Sequence, residues 1–322
     1  MILCAIRGYD VGRDTPNYVE AAMNTYSYNS TWGPIYYILI KFSQFFSNPA
    51  TIFLCLMAAL TYIPLIVVVR SKSVLPALSV LMYIIPTAAF FYESFNLARQ
   101  SIAIVYILLA AIFLKDKKIK LSIVMTLIAF FFHPYTIFFS IFYLISKIKF
   151  TKSLVNTLVY GSMIIGLLGT ITVIQDTLSL MSFLFEDTSS AMLTKFSKYG
   201  NDSYNIISNY SVIGQLSHIL PLSAMCLLGI NKKTEDDVLF KVMVCGCVVT
   251  NLFVSVIFCE RIASTFSIAQ FLAVPIIFST STKIKRQSMI VLLIFTAFLY
   301  VYNLYQQSLN PYVWTPYHTF FN

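Results

Sequence analysis

Arg99, with Glu93, Asn96 and Gln100 at helical spacing around it, is the side chain in this sequence best suited to chemistry in an apolar setting. At 100° per residue the four occupy a polar arc about 120° wide on one side of a helix, and such a face must meet water, protein or a ligand. A guanidinium presents a planar fork of donors matched to phosphate and stays charged at any working pH. His133 stands among Phe130, Phe131, Phe132 and Pro134. Its imidazole titrates near neutrality and can take a proton from an attacking hydroxyl. Each residue also has an ordinary explanation: a headgroup contact or interhelical ion pair for Glu93 and Arg99, and a helix-terminal ring bonded to backbone for His133.

Further polar residues come from distant parts of the chain. Arg7, Asp10, Arg13 and Asp14 lie near the start, Glu260 and Arg261 at a junction between two apolar runs, and Tyr317 and His318 in the tail. Any turn between spans is polar, so Glu260 and Arg261 alone say little.

The elements that must position these groups are apolar. The chain of 322 residues is 58% hydrophobic and 11% charged, with 28 Phe and 21 Tyr, a composition foreign to soluble domains. A transmembrane helix needs about 20 mostly apolar residues. Such runs fall near 49–69, 74–93, 97–114, 121–145, 153–175, 211–230, 238–259, 262–281 and 288–305. The reading is a single all-α polytopic membrane domain over 1–322, with about 9–11 transmembrane or re-entrant helices. Trp32–Ser47 is short and carries Lys41 and Gln44, which suits an interfacial or re-entrant helix. The stretch at about 176–209 mixes apolar and charged residues and reads as a partly structured outside loop, either a lid or a connector. Met1–Ile6 is too short for the apolar core of a signal peptide. The six cysteines contain no CxxC pair and read as buried thiols.

The run 121–145 decides the topology. His133 and Pro134 divide it into two halves, each about 18 Å long if helical, and neither crosses a core of about 30 Å. The lysines on both flanks, Lys115, Lys117, Lys118 and Lys120 before it and Lys147, Lys149 and Lys152 after it, argue for a hairpin that starts and ends on one face. That arrangement puts fifteen Lys and Arg inside and seven outside, against nine and thirteen for a single span. The positive-inside rule therefore favours the hairpin. It also brings Arg7, Asp14, Asn96, Arg99, Gln100, His133, Glu260, Arg261 and the tail to the extracytoplasmic side. Ionisable groups gathered at membrane depth point to a functional site.

The net charge of +9 is explained by membrane orientation, so no nucleic-acid partner is implied. Walker A, GxSxG, HExxH and spaced Cys/His patterns are all missing from the sequence, which leaves ATP-driven transport, serine hydrolysis and zinc chemistry without support. A transporter or lipid flippase, whose charges would line a pathway, stays open beside an enzyme. So does a membrane acyltransferase using His133.

The order of motifs resembles the EpsG family of Wzy-type polysaccharide polymerases. Val11-Gly12-Arg13-Asp14-Thr15 with Tyr18, preceded by Arg7, is similar to the family's VG-x-D-T-x-x-Y element, ahead of which members usually carry a full span. Phe95-Asn96-Leu97-Ala98-Arg99-Gln100-Ser101-Ile102-Ala103 is similar to its FN-x-x-RQ-x-x-A helix, and Phe132-His133 to its FH element. Arg261 after a span and Pro316-Tyr317 near the end complete the series. The resemblance implies a glycosyltransferase joining oligosaccharide repeat units carried on undecaprenyl or another polyprenyl diphosphate, for an O-antigen, capsule or exopolysaccharide, at the outer face of a bacterial cytoplasmic membrane. A chain-length regulator and a flippase would be its partners, and no cofactor or metal is expected. Arg99, His133, Arg261 and Asp14 would then be catalytic, with the arginines on the diphosphate and His133 the favoured base over Asp14 and Glu260. Arg7, Asn96, Gln100, Glu260 and Tyr317 would bind substrate.

Overall fold

A computed structural model of the chain describes residues 2–12, 14–24, 34–85, 90–168, 212–254, 257–308 and 319. Arg13, the loop at 176–209 and Tyr317 lie outside the described residues, as do the side chains of Cys259 and Glu260. In chain order the helices are α1 (Ile2–Ala5), α2 (Thr15–Met23), α3 (Pro34–Ser43), α4 (Pro49–Lys72), α5 (Pro76–Ile84), α6 (Phe90–Asn96), α7 (Ala98–Lys115) and α8 (Ile119–Phe132). A 3₁₀ segment, Pro134–Ile141, leads into α9 (Phe142–Ile145), then α10 (Lys152–Leu167), α11 (Val212–Gly229), α12 (Val238–Leu252), α13 (Ile257–Ser267), α14 (Gln270–Thr280) and α15 (Lys283–Ser308). The protein is an all-α, multi-pass membrane protein. Among the described residues, α4, α7 and Lys283–Tyr302 of α15 are long and apolar enough to cross a membrane. Arg261–Ser267 with Gln270–Thr280 makes a fourth, bent by 41°. The other apolar runs enter as shorter or broken pieces.

Local chemistry sets the ends of these helices. Asn48 caps α4, its side chain accepting from the Thr51 N–H at 3.3 Å; Pro49 opens the helix, and Arg70 and Lys72 close it. Each choice satisfies or complements the unpaired groups of a helix end. Thr151 caps α10 and Asp237 caps α12 in the same way. Prolines break the expected spans. Ile85, before Pro86, and His133, before Pro134, both take extended backbone, because a proline ring disfavours helical geometry in the residue ahead of it. The run 74–93 is therefore α5 followed by α6 rather than one helix.

The segment 119–145 is an out-and-back hairpin. Helix α8 runs out over about 21 Å, and the 3₁₀ segment with α9 returns over about 22 Å, taking ordinary rises per residue. Its two ends meet one loop: Lys115 Nζ pairs with Asp237 at 2.7 Å, Lys149 Nζ with Glu235 at 3.2 Å, and the Phe150 N–H donates to the Glu235 carbonyl at 3.2 Å. Lys72 joins this end through Asp116 at 2.7 Å, and Lys241 through the Ser146 carbonyl at 2.9 Å. Lys285 donates to the carbonyls of Leu228 and Ile230, and Arg286 to that of Ser279. The cationic loops thus gather at one end of the bundle, here called the basic end. Most of these pairs are too exposed to stabilise the fold by more than about 1 kcal/mol each; their value is that they mark which loops are neighbours.

Candidate functional site at the opposite end

Helix α4 begins at the far end from Lys72, and the N-terminal segment docks there. The Tyr9 hydroxyl lies 3.1 Å from Asn48 Oδ1 and 2.9 Å from Thr51 Oγ1. The next contact is made by backbone. Gly12, at φ +100°, lets the loop approach so closely that a Cβ there would sit 2.6 Å from the Phe95 carbonyl oxygen. The Thr15 hydroxyl donates to its own loop at Val11 O (2.7 Å) and lies 3.4 Å from the same Phe95 oxygen. In a continuous helix that carbonyl would serve the Arg99 N–H. Here the helix breaks at Leu97 (φ −110°, ψ 54°), separating α6 from α7. The single polar arc read from the sequence is therefore divided: Glu93 and Asn96 belong to α6, Arg99 and Gln100 to α7.

Arg99 stands at the start of α7 with its Cζ 5.5 Å from the centre of the Tyr36 ring. Its charge also acts on the Tyr18 hydroxyl, favouring the ionised form. The two tyrosine rings are 5.7 Å apart, and Tyr36 meets Phe53 edge-on at 5.1 Å. Burial pushes the Tyr18 phenol up, more than the charge of Arg99 pulls it down, so it remains a neutral partner at all working pH. The charges of Asp14 and Arg7 also act on Tyr18, more weakly than that of Arg99.

Arg7 is 1% exposed. Its Nη1 donates to Cys4 Sγ at 3.0 Å and to the Ser94 carbonyl at 3.4 Å, and its Cζ lies 5.8 Å from the Phe95 ring centre. Nε and Nη2 meet no acceptor among the described residues. A buried cation with unfilled donors is costly unless an anion or water completes it. Its backbone bridges that of Thr319, so the C-terminal tail returns to this end although Tyr317 itself lies outside the described residues.

On the other side of α7, Gln100 is 2% exposed and donates from Nε2 to Ser264 Oγ at 2.8 Å. Ser264 in turn donates to the Arg261 carbonyl at 3.0 Å. This chain ties α7 to α13. Arg261 is not at a junction between spans, as the apolar runs imply, but inside α13; the turn comes earlier, after Phe253, and the bend later, between Ser267 and Gln270. The far end of α13 packs closely on α12: Gly246 brings its backbone against Ser267, where a Cβ would sit 2.7 Å from the Ser267 nitrogen. Apolar periodicity cannot register such an approach.

His133 ends α8 in extended backbone, its ring 4.9 Å from that of Tyr135. Ser122 Oγ donates to the Ala110 carbonyl at 2.7 Å, which fixes the level at which antiparallel α7 and α8 pass. Equal steps along each helix from that point bring His133 to the depth of Arg99. Asn96 is 7% exposed at the end of α6. Sequence reasoning missed Tyr36 and Ser264. Tyr36 is one of several aromatics in a short apolar helix that ends in Lys41, and Ser264 is one hydroxyl among many, so neither carried a signal that could have singled it out.

Together these features define a class: a polytopic all-α membrane protein whose basic loops occupy one end, while a buried arginine on Phe95 and a half-buried one on Tyr36 stand towards the other, beside the turn of the hairpin. The sequence model of the EpsG family matches residues 1–319, and the chain belongs to that family, one of Wzy-type, polymerase-like proteins. No curated protein and no solved structure matches it.

Proposed function

We propose that this protein is a glycosyltransferase that polymerises oligosaccharide repeat units held on polyprenyl diphosphate, acting on the extracytoplasmic face of a bacterial cytoplasmic membrane. In the reaction a hydroxyl at the non-reducing end of one lipid-linked unit attacks the anomeric carbon of the growing chain. A glycosidic C–O bond forms, the bond from that carbon to the diphosphate breaks, and the polyprenyl diphosphate leaves as an anion. The hydroxyl proton passes to a base.

Membership of the EpsG family supports the polymerase reading in general terms. The observation that carries its chemistry is Arg99, held against Tyr36 and Tyr18 at the depth where the hairpin turns at His133. Developing negative charge is best met by preorganised cations in a site with little water. We assign Arg99 and Arg261 to the leaving diphosphate and Arg7, with its unfilled donors, to a third contact. The arginines supply the counter-charge in this scheme, which needs no metal. His133 is assigned as the base because its unperturbed pKa lies near working pH. Asp14 then orients the acceptor hydroxyl, and Asn96, Gln100, Glu260 and Tyr317 hold sugar hydroxyls. The basic end faces the cytoplasm in this orientation, as the positive-inside rule requires. A flippase that delivers substrate and a chain-length regulator are the expected partners.

The test is a gel of surface polysaccharide and lipid-linked intermediates from the native host, comparing the intact gene, a deletion, and the deletion complemented with Arg99→Ala or His133→Gln. Deletion is expected to collapse a ladder to single repeat units that still reach the outer leaflet. Arg99→Ala should fail to restore the ladder, and His133→Gln should slow its appearance by about 10²–10⁴-fold, the usual contribution of a general base. Repeat units trapped facing the cytoplasm would instead support a flippase. A full ladder with Arg99→Ala would sink the assignment.

A further inference from the structure

Helix α3 is ten residues long, far short of a span, and packs among α2, α4 and α8. Its most buried aromatic is Tyr36, which is 0% exposed. Three contacts fix the ring: Phe53 meets it edge-on at 5.1 Å and 87°, Tyr18 is tilted against it at 5.7 Å, and the guanidinium of Arg99 lies 5.5 Å from its centre. The first two hold the ring still. The third places a permanent, half-buried cation over a fully buried ring, where such a contact is stronger than at an open surface.

We infer that Tyr36 is a positioning residue for Arg99: through the face of its ring it sets the guanidinium that the proposed reaction requires, and α3 exists to carry it there. The inference rests on the proposed function for its readout. An arginine has several rotatable bonds, and a misplacement of about 1 Å can cost 10²-fold in rate. Tyr36 fixes the guanidinium by the ring face, and Tyr18 and Phe53, packed on that ring, keep the face in place. Volume alone does not supply this constraint. A leucine fills much of the same space but has no quadrupole to attract the cation.

The experiment compares Tyr36→Leu, Tyr36→Phe and Tyr36→Trp with wild type and Arg99→Ala, using full-length protein reconstituted in vesicles with lipid-linked repeat units. Rates are normalised to folded protein recovered by size-exclusion chromatography. If Tyr36→Leu does not fold, Tyr36→Met takes its place. The expected result is a loss of about five- to thirtyfold for Tyr36→Leu, the worth of a cation–π contact between a buried ring and a half-buried cation, falling on kcat rather than KM. Tyr36→Phe and Tyr36→Trp, which keep a π face, should recover most of it. A role in packing alone would have Leu and Phe behave alike, and that outcome, with Arg99→Ala inactive, overturns the inference while leaving the proposed function standing. Full activity in Arg99→Ala would overturn both.

Discussion

Replacing Gly12 by alanine tests whether docking of the N-terminal loop onto Phe95 builds the site. Two costs can be worked from the geometry. The backbone at φ +100° is open to glycine but strained for a residue with a Cβ, by about 1–2 kcal/mol. The new methyl would lie 2.6 Å from the Phe95 carbonyl oxygen and 3.0 Å from Thr15 Oγ1. Forcing such an overlap costs about 1–3 kcal/mol, and because the obstacle is backbone no rotamer relieves it. The total, about 2–5 kcal/mol, is best relieved by lifting the loop off α6, which carries Asp14 and Tyr18 away from Arg99. Gly161→Ala is the control. Nothing lies within 4 Å of its Cβ position, and alanine inside α10 should gain about 0.5–1 kcal/mol. Thermal unfolding of detergent-purified protein and the polymer ladder are the two readouts. Gly12→Ala should lower the unfolding temperature and lose the ladder, and Gly161→Ala should do neither. Unchanged behaviour of Gly12→Ala, or equal damage from both, would refute the reasoning.

Two further predictions concern the basic end. Single cysteines replacing Lys118 and Lys149 should react with a membrane-impermeant maleimide from the same side of the membrane, and one replacing Ser47 from the other; opposite labelling of the two lysine positions would rule out the hairpin. Asp237 caps α12 by accepting from the Leu239 and Phe240 N–H groups and also pairs with Lys115, so Asp237→Ala should cost about 1–2 kcal/mol in an unfolding measurement, whereas Lys115→Ala should cost less than about 1.

Much of this architecture was legible because its causes are local or statistical. The apolar runs are set by the thickness of the bilayer, and Pro134 acts on the residue directly before it, so α8 ends where proline sterics require; the same effect at Pro86 splits 74–93, a single run by hydropathy. The two flanking lysine clusters identified 119–145 as a hairpin, and the ion pairs through Glu235 and Asp237 agree. The element Phe95–Ala103 marked Arg99, and Phe132-His133 marked the turn that lies at its depth.

Tertiary packing decided the rest. The break at Leu97 follows from a loop eighty residues earlier in the chain occupying the Phe95 carbonyl, an event that helical periodicity cannot express. Arg261 lies inside α13, which begins at Ile257, and not at the junction that the apolar runs imply. Tyr36 became the shelf for Arg99, and Ser264 the link from Gln100 to Arg261, only once distant segments met. Sequence patterning by itself determined that this is a multi-pass membrane protein, since burial in lipid constrains every residue of a span. Which side chains touch the arginines was left to the fold, since those contacts join residues far apart in sequence, and spacing along a chain carries no record of such distances.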